Sequence, residues 1–275
     1  IRQGETTLSG KGEVTTYPDS LSLRLNIADN VISVPDLEKW LPKAGLSSVR
    51  HLRKVNLSFD GRGRIGLNNE DFVFQANLQI RHPETGDLFG FVKAQKTTST
   101  PLSYKLDLTT NRLNLGFILK NTNLASNLTG ITRIEGIGTR LEDLDARVYF
   151  KLRDLHFDKY QADSLRLDGY VKNRQFDGLA MFAKEGGSIR TKGRINLKNP
   201  KPLFDLTADA ERFNIGWLDP KAGITTKLTG NIQLNGSGDG LANFQGKAIL
   251  DIEPSLFVVK GKETRTTDLY TTLDI

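Results

Sequence analysis

The sequence predicts an all-β protein: a long antiparallel sheet, curled into a groove, built from degenerate repeats and carrying one or two short helices. Three observations carry that prediction. Apolar and polar residues alternate with a period of two in many runs, turn-forming residues punctuate the chain between them, and residues 101–175 recur at 201–275 without a gap. Alternation sends every second side chain to one sheet face. Turn signals about 8–14 residues apart leave room for hairpins but not for parallel crossovers.

The strands follow in chain order. Leu21, Leu23, Leu25 and Ile27 alternate with Ser22, Arg24 and Asn26. The same period appears in Val55, Leu57 and Phe59, in Leu106 and Leu108, and in Leu113 and Leu115. It continues through Val148, Phe150 and Leu152, then Leu165 and Leu167, then Ile195 and Leu197, and then Leu206. Phe213 and Ile215, Ile232 and Leu234, and Leu250 and Ile252 complete it. Turns are expected at Asp60-Gly61, Asn68-Asn69, Thr85-Gly86-Asp87, Lys172-Asn173, Gly186-Gly187, Asn235-Gly236 and Asp239-Gly240, pairs that tolerate φ > 0. Ser33–Pro42 breaks the pattern with a capping serine, Pro35 in the first turn, early acids and a terminal proline, which predicts about two helical turns. A second short turn of helix is expected within 121–129.

The repeat is the most informative feature. Leu106, Arg112, Asn114 and Gly116 fall on Leu206, Arg212, Asn214 and Gly216. Leu128-Thr129-Gly130 falls on Leu228-Thr229-Gly230, and Gly136, Gly138 and Leu141 fall on Gly236, Gly238 and Leu241. Chance gives about one match per fifteen to twenty positions. A looser first copy places Gly61 and Gly63 against Gly136 and Gly138. The expected organisation is therefore an irregular repeat at 1–100, a second at 101–200 and a truncated third at 201–275, all one elongated module of a longer protein.

Composition excludes several function classes. No cysteine is present, so neither a disulfide framework nor a thiol nucleophile is possible. Net charge is +6, but the basic residues are scattered without a patch or motif for nucleic acid. His51, His82 and His156 have no ligand spacing, and the Gly-x-Gly pairs lack a phosphate-loop continuation. No catalytic constellation, cofactor or metal is expected, and the protein is not read as an enzyme.

A single layer of about twenty strands is too long to stay flat and open. Curling it with the apolar face inward makes a trough on the order of 100 Å long at about 4.8 Å per strand. Two occupants satisfy the pattern: lipid acyl chains, at about 0.8 kcal/mol per buried methylene, or side chains of facing layers that fill the interior. An outer-membrane barrel is disfavoured by strands that look shorter than the ten or so residues it needs.

The cassette LTG-xxx-(I/L)-x-GxG-xx-L-xx-(L/F) at 128–144 and 228–244, with (L/F)-N-(I/L)-G-(F/W) at 113–117 and 213–217, resembles the AsmA-like proteins, in particular the TamB-type translocation and assembly module family. Val31–Pro42 looks like the second motif lengthened. The resemblance implies a bridge-like lipid-transfer groove in the periplasm of a Gram-negative envelope. Phospholipid acyl chains would lie on the twenty-five alternating residues named above from Leu21 to Ile252. It also implies an inner-membrane anchor outside this chain and an outer-membrane barrel assembly protein as a partner. The alternative is a structural or adhesive β-repeat protein with a filled core and no lipid.

Overall fold

The structure is a computed structural model that describes residues 2–3, 6–7, 9–36, 54–66, 71–121, 125–157, 160–217, 223–238, 243, 245–259 and 261–274. The fold is antiparallel β with short helical segments, as the alternation predicts. The chain forms two compact units, residues 1–139 with 156–159, and residues 140–155 with 160–275. The boundary falls inside the second sequence repeat, so compact units and repeats do not coincide.

In the first unit, β1 (Arg2–Gln3) pairs with β2 (Thr6–Thr7). A second ladder then runs in chain order through β3 (Gly10–Thr16), β4 (Ser20–Ser33), β5 (Lys54–Gly66) and β6 (Phe72–His82). It continues through β7 (Gly86–Thr97), β8 (Thr100–Leu113) and β9 (Ser126–Ile137). β10 (Asp145–Phe157), which belongs to the second unit as far as Leu155, is followed there by the ladder of β11 (Tyr160–Lys172), β12 (Gln175–Lys184), β13 (Gly187–Asn196), β14 (Leu203–Phe213), β15 (Ile224–Ser237) and β16 (Gln245–Ile252). The hairpin of β17 (Leu256–Val259) and β18 (Lys262–Arg265) leaves this order and pairs with the start of β15. β19 (Leu269–Asp274) returns to pair with β16.

The hundred-residue repeat is a repeat of register. Leu106 faces Ile134 as Leu206 faces Leu234, Thr110 faces Gly130 as Ala210 faces Gly230, and Leu113 faces Leu128 as Phe213 faces Leu228. A β-bulge breaks both ladders at the same place, with Arg112 and Arg212 at φ of 55° and 47°. The equivalent bulge in β4 sets Ile27 on Phe59 and Asn30 on Leu57. Leu57 thus stands where Leu128 stands, which puts Gly61 and Gly63 four residues short of Gly136 and Gly138. The first copy is aligned by its bulge, not by its glycines.

Several local expectations are corrected. Asp60-Gly61 and Asn235-Gly236 are not turns but lie inside β5 and β15. Their alternation is satisfied by the sheet itself, since Asp60 faces water while the Phe59 ring lies over Gly61 on the other side. The hairpins after β11 and β12 turn at Asn173-Arg174 and Glu185-Gly186, where both residues have positive φ. Leu115 and Ile215 are not strand residues: they open the helical turns Leu115–Leu119 and Ile215–Trp217. The helix expected within 121–129 lies earlier, at Leu115–Leu119, and 126–129 belong to β9. Of the helix expected at 33–42, residues 34–36 are helical; 37–42, Asn68-Asn69 and Asp239-Gly240 lie outside the described residues. Strands are also longer than the apolar runs indicate, 14 residues in β4, β8 and β15. Strand length therefore does not separate this sheet from a barrel.

Candidate functional site

Directly opposed residues in an antiparallel ladder point to the same face, so the register traces each face across the sheet. In the first unit one row runs Val14, Leu23, Gly63, Phe74, Ala94, Tyr104 and Gly136, and the next runs Gly12, Leu25, Gly61, Ala76, Val92, Leu106 and Ile134. The row between them, on the other face, is Glu13, Arg24, Arg62, Gln75, Lys93, Lys105 and Glu135. One face is apolar from β3 to β9 and the other is charged. Leu21, Leu23, Leu25, Ile27, Val55, Leu57, Phe59, Leu106, Leu108 and Leu113 all share the apolar face.

The second unit repeats the arrangement. Leu167, Ala180, Thr191, Ala208, Ile232, Leu250 and Thr271 form one row, while Tyr170, Asp177, Arg194, Asp205, Asn235, Lys247 and Asp274 form a polar row behind it. Leu165, Ile195, Leu206, Phe213, Leu234 and Ile252 lie on the apolar side. In β10, Asp145, Arg147 and Tyr149 meet Lys172, Asp168 and Arg166 of the polar side, which turns Val148, Phe150 and Leu152 to the apolar one. Leu197 follows the end of β13, its amide donating to the Arg174 carbonyl at 2.7 Å.

The two ends of the first unit's apolar face differ. At the end where β4 and β8 finish, Ile32 is 2% exposed and Phe117 of the helical turn packs on His82, with ring centroids 5.9 Å apart. The turn is held by a side-chain knot. Asn114 Oδ1 accepts the amides of Phe117 (3.1 Å) and Ser126 (3.4 Å), while Ser126 Oγ accepts from Leu115 and donates to the Leu113 carbonyl. At the opposite end nothing of this kind covers the face among the described residues. There Leu21, Leu23 and Ile65 are 39%, 46% and 49% exposed.

A hollow of about 270 Å³ opens at that exposed end, lined by Leu21, Leu23, Leu25, Phe59, Gly61, Gly63, Ile65, Phe72 and Phe74, with Arg62 and Val73 between them in β5 and β6. Phe59 and Phe74 stack at 6.2 Å along its floor. Gly63 leaves the space open, whereas Gly61 is covered by a ring. A Cβ on Gly61 would strike the Phe59 ring at 2.5 Å, whereas one on Gly63 would meet nothing closer than the Val73 carbonyl at 3.4 Å. In the second unit the comparable glycines are covered: a Cβ on Gly169 or Gly178 would collide with Phe176 at 2.3 or 2.6 Å.

The corresponding closed end of the second unit is better packed. Phe213 is 1% exposed among Ala210, Leu228 and Ile252. Its ring meets Trp217 edge-on at 5.4 Å and Phe182 at 6.2 Å, and Lys184 Nζ lies 5.8 Å from the Trp217 ring centre. Trp217 is thus a packing residue of this end. Trp40 and His51 lie outside the described residues.

Sequence reasoning missed about as much of the apolar face as it found. Phe72, Phe74, Ala76, Leu78 and Ile80 of β6 belong to it, but Val73 interrupts the polar alternation there and hides the period. Phe176, Ala180 and Phe182 of β12 are obscured in the same way by Leu179 and Met181. Only cross-strand register sorts these residues. On the polar faces the ion pairs are exposed: Arg133 with Asp107, Lys105 with Glu135, and Arg194 with Asp177. Asp145 is held below the usual carboxylate range by hydrogen bonds from Lys172, at 2.6 Å, and from Tyr170. Among the described residues no three His, Cys, Asp or Glu side chains stand together as metal ligands, and no helix is long and apolar enough to cross a membrane.

No protein-family model, curated protein or solved structure gives a significant match to this chain.

Proposed function

We propose that this chain shields lipid acyl chains on its apolar sheet face, as one segment of a lipid-transfer conduit in the periplasm of a Gram-negative envelope. One observation supports this above the others. The apolar face of the first unit runs across seven strands and is left half-exposed at one end, where a filled core would have buried Leu21, Leu23 and Ile65. Exposed contiguous apolar surface of this kind marks a binding surface. Acyl chains suit it because the face presents mostly aliphatic and aromatic side chains along its rows, and burial of each methylene contributes about 0.8 kcal/mol. The resemblance of the 128–144 and 228–244 cassettes supplies the envelope setting, an inner-membrane anchor elsewhere in the protein and an outer-membrane barrel protein as partner. Nothing in the fold requires the protein to be an enzyme.

Native mass spectrometry of the purified chain tests the reading. Lipid adducts are expected, and they should disappear in Leu23→Asp while the far-ultraviolet circular dichroism of the sheet persists. A chain free of lipid after exposure to phospholipid vesicles would overturn the reading in favour of a structural β-repeat protein. Spontaneous insertion of the chain into those vesicles as a protease-resistant barrel would also overturn it.

A further inference from the structure

Among the described residues, Lys96 is the one Lys, Arg, Asp or Glu that the β3–β9 register places on the apolar face of the first unit, where it stands directly opposite Phe72. Its position is at the open end. Phe72 lines both the apolar hollow and an adjoining cavity of about 450 Å³ that contains Lys96, Asp19, Ser20, Arg64, Asp71 and Thr97. The other charges around that opening are already engaged. Arg64 donates to Asp19 at 3.3 Å and to Ser20 Oγ at 2.8 Å, and its guanidinium lies over Tyr17. Asp71 Oδ1 accepts the amide of Thr98, and the Thr98 hydroxyl at 2.9 Å. Neither carboxylate reaches Lys96, and no ion pair forms on it among the described residues. The second unit gives the contrast. Lys184 also lies on an apolar face, but at the closed end, against Trp217 and paired with Glu185 at 3.6 Å.

We propose that Lys96 receives the anionic head of an acyl-chain ligand, a carboxylate or a phosphate, whose chain lies in the hollow floored by Phe59 and Phe74. This rests on the reading that the apolar face takes acyl chains. The geometry matches an amphiphile end to end: an apolar hollow, then Phe72, then a lysine that no carboxylate of the described residues pairs. A lysine stem continues the apolar surface while its ammonium stays hydrated, and a head held there gains a charge-assisted contact without a buried charge. Distance from the closed end fixes the polarity of the ligand, with its tail toward Phe59 and its head at the hairpin of β7 and β8.

Three probes that share one chain test it on the full 275-residue chain: palmitate, palmitoyl-lysophosphatidylglycerol and uncharged monopalmitin, titrated by calorimetry. An anionic probe should bind about tenfold more tightly than monopalmitin. Lys96→Gln should remove that difference and leave monopalmitin unchanged, and Lys96→Arg should retain it. Preference for palmitate alone identifies a carboxylate ligand, and preference for the phosphate alone a phospholipid head. Equal affinities for all three probes, or equal weakening of all three by Lys96→Gln, overturns the role of Lys96 while leaving acyl binding intact. No binding of any probe overturns both.

Discussion

Asn214 accepts the backbone amide of Thr226 through its side-chain oxygen at 3.0 Å, and Asn114 accepts that of Ser126 in the same way one hundred residues earlier. Asn214 Oδ1 also takes the Gly216 amide at 3.0 Å, while Thr226 Oγ1 takes the Ile215 amide at 2.9 Å and donates to the Phe213 carbonyl at 2.8 Å. Two side chains thereby satisfy the backbone groups freed where the strand ends and the helical turn begins. Replacing Asn214 by Ala leaves two amides without an acceptor and is expected to cost about 1–3 kcal/mol. Urea denaturation should show a lower midpoint, with a smaller loss for Asn114→Ala, whose bond from the Ser126 amide is longer at 3.4 Å.

Gly230 of β15 stands opposite Ala210, where the bulge of β14 begins, at φ +149°, and a Cβ there would approach the Asp251 carbonyl oxygen to 2.2 Å. Gly130 has the same backbone at φ +153°. Gly230→Ala is expected to destabilise the chain by about 1–3 kcal/mol through strain alone, read as a fall in thermal midpoint.

Gly63 is the opposite case. Its Cβ would project into the hollow without collision, the nearest atoms being the Val73 carbonyl at 3.4 Å and Phe74 Cδ2 at 3.8 Å. Gly63→Leu should therefore fold with stability within about 1 kcal/mol of the parent and weaken palmitate binding at least severalfold by occupying the space. Unchanged affinity would place the acyl chain elsewhere on the sheet.

Asp145 lies below its ordinary value of 3.8 because Lys172 and Tyr170 donate to it, and Lys172 lies above 10.5 because it donates to Asp145. The lowered carboxylate adds stability above its unfolded pKa, which is lost as pH falls through the lower folded value. The raised lysine adds stability that is lost as pH rises through its raised folded value. Asp145→Asn should thus reduce the melting temperature slightly at about pH 7, and the difference from the parent should shrink as pH falls through the lowered folded value. A reduction that stays the same as pH falls would assign the effect to packing of Asp145.

How much of this was legible before folding depends on the element. In β4, where Ser22, Arg24 and Asn26 separate Leu21, Leu23, Leu25 and Ile27, periodicity alone sorted the faces correctly. In β6 and β12 the intervening residues include Val73, Leu179 and Met181, and no period is visible. Leu115 and Ile215 satisfied the period of two and still left the strand. The preceding asparagine caps a turn there, and capping is a competition between local hydrogen bonds that alternation does not register. Asp60-Gly61 misled for the converse reason, because a turn-forming pair inside a long ladder is held by its neighbours on both sides.

Sequence by itself determined the class of the fold, the antiparallel meander and the hundred-residue register, because a two-residue period and a gapless repeat are properties of the chain before it folds. It also determined that one face of the sheet would be apolar. The tertiary structure decided which end of that face is sealed and which is open. Alternation is the same along the whole of β4, yet Ile32 lies at a capped end and Leu23 at an uncovered one. That difference comes from bulges, side-chain knots and glycine gaps contributed by residues distant in sequence. The same distant contributions leave a hollow above Gly63 and bring Lys96 to its edge.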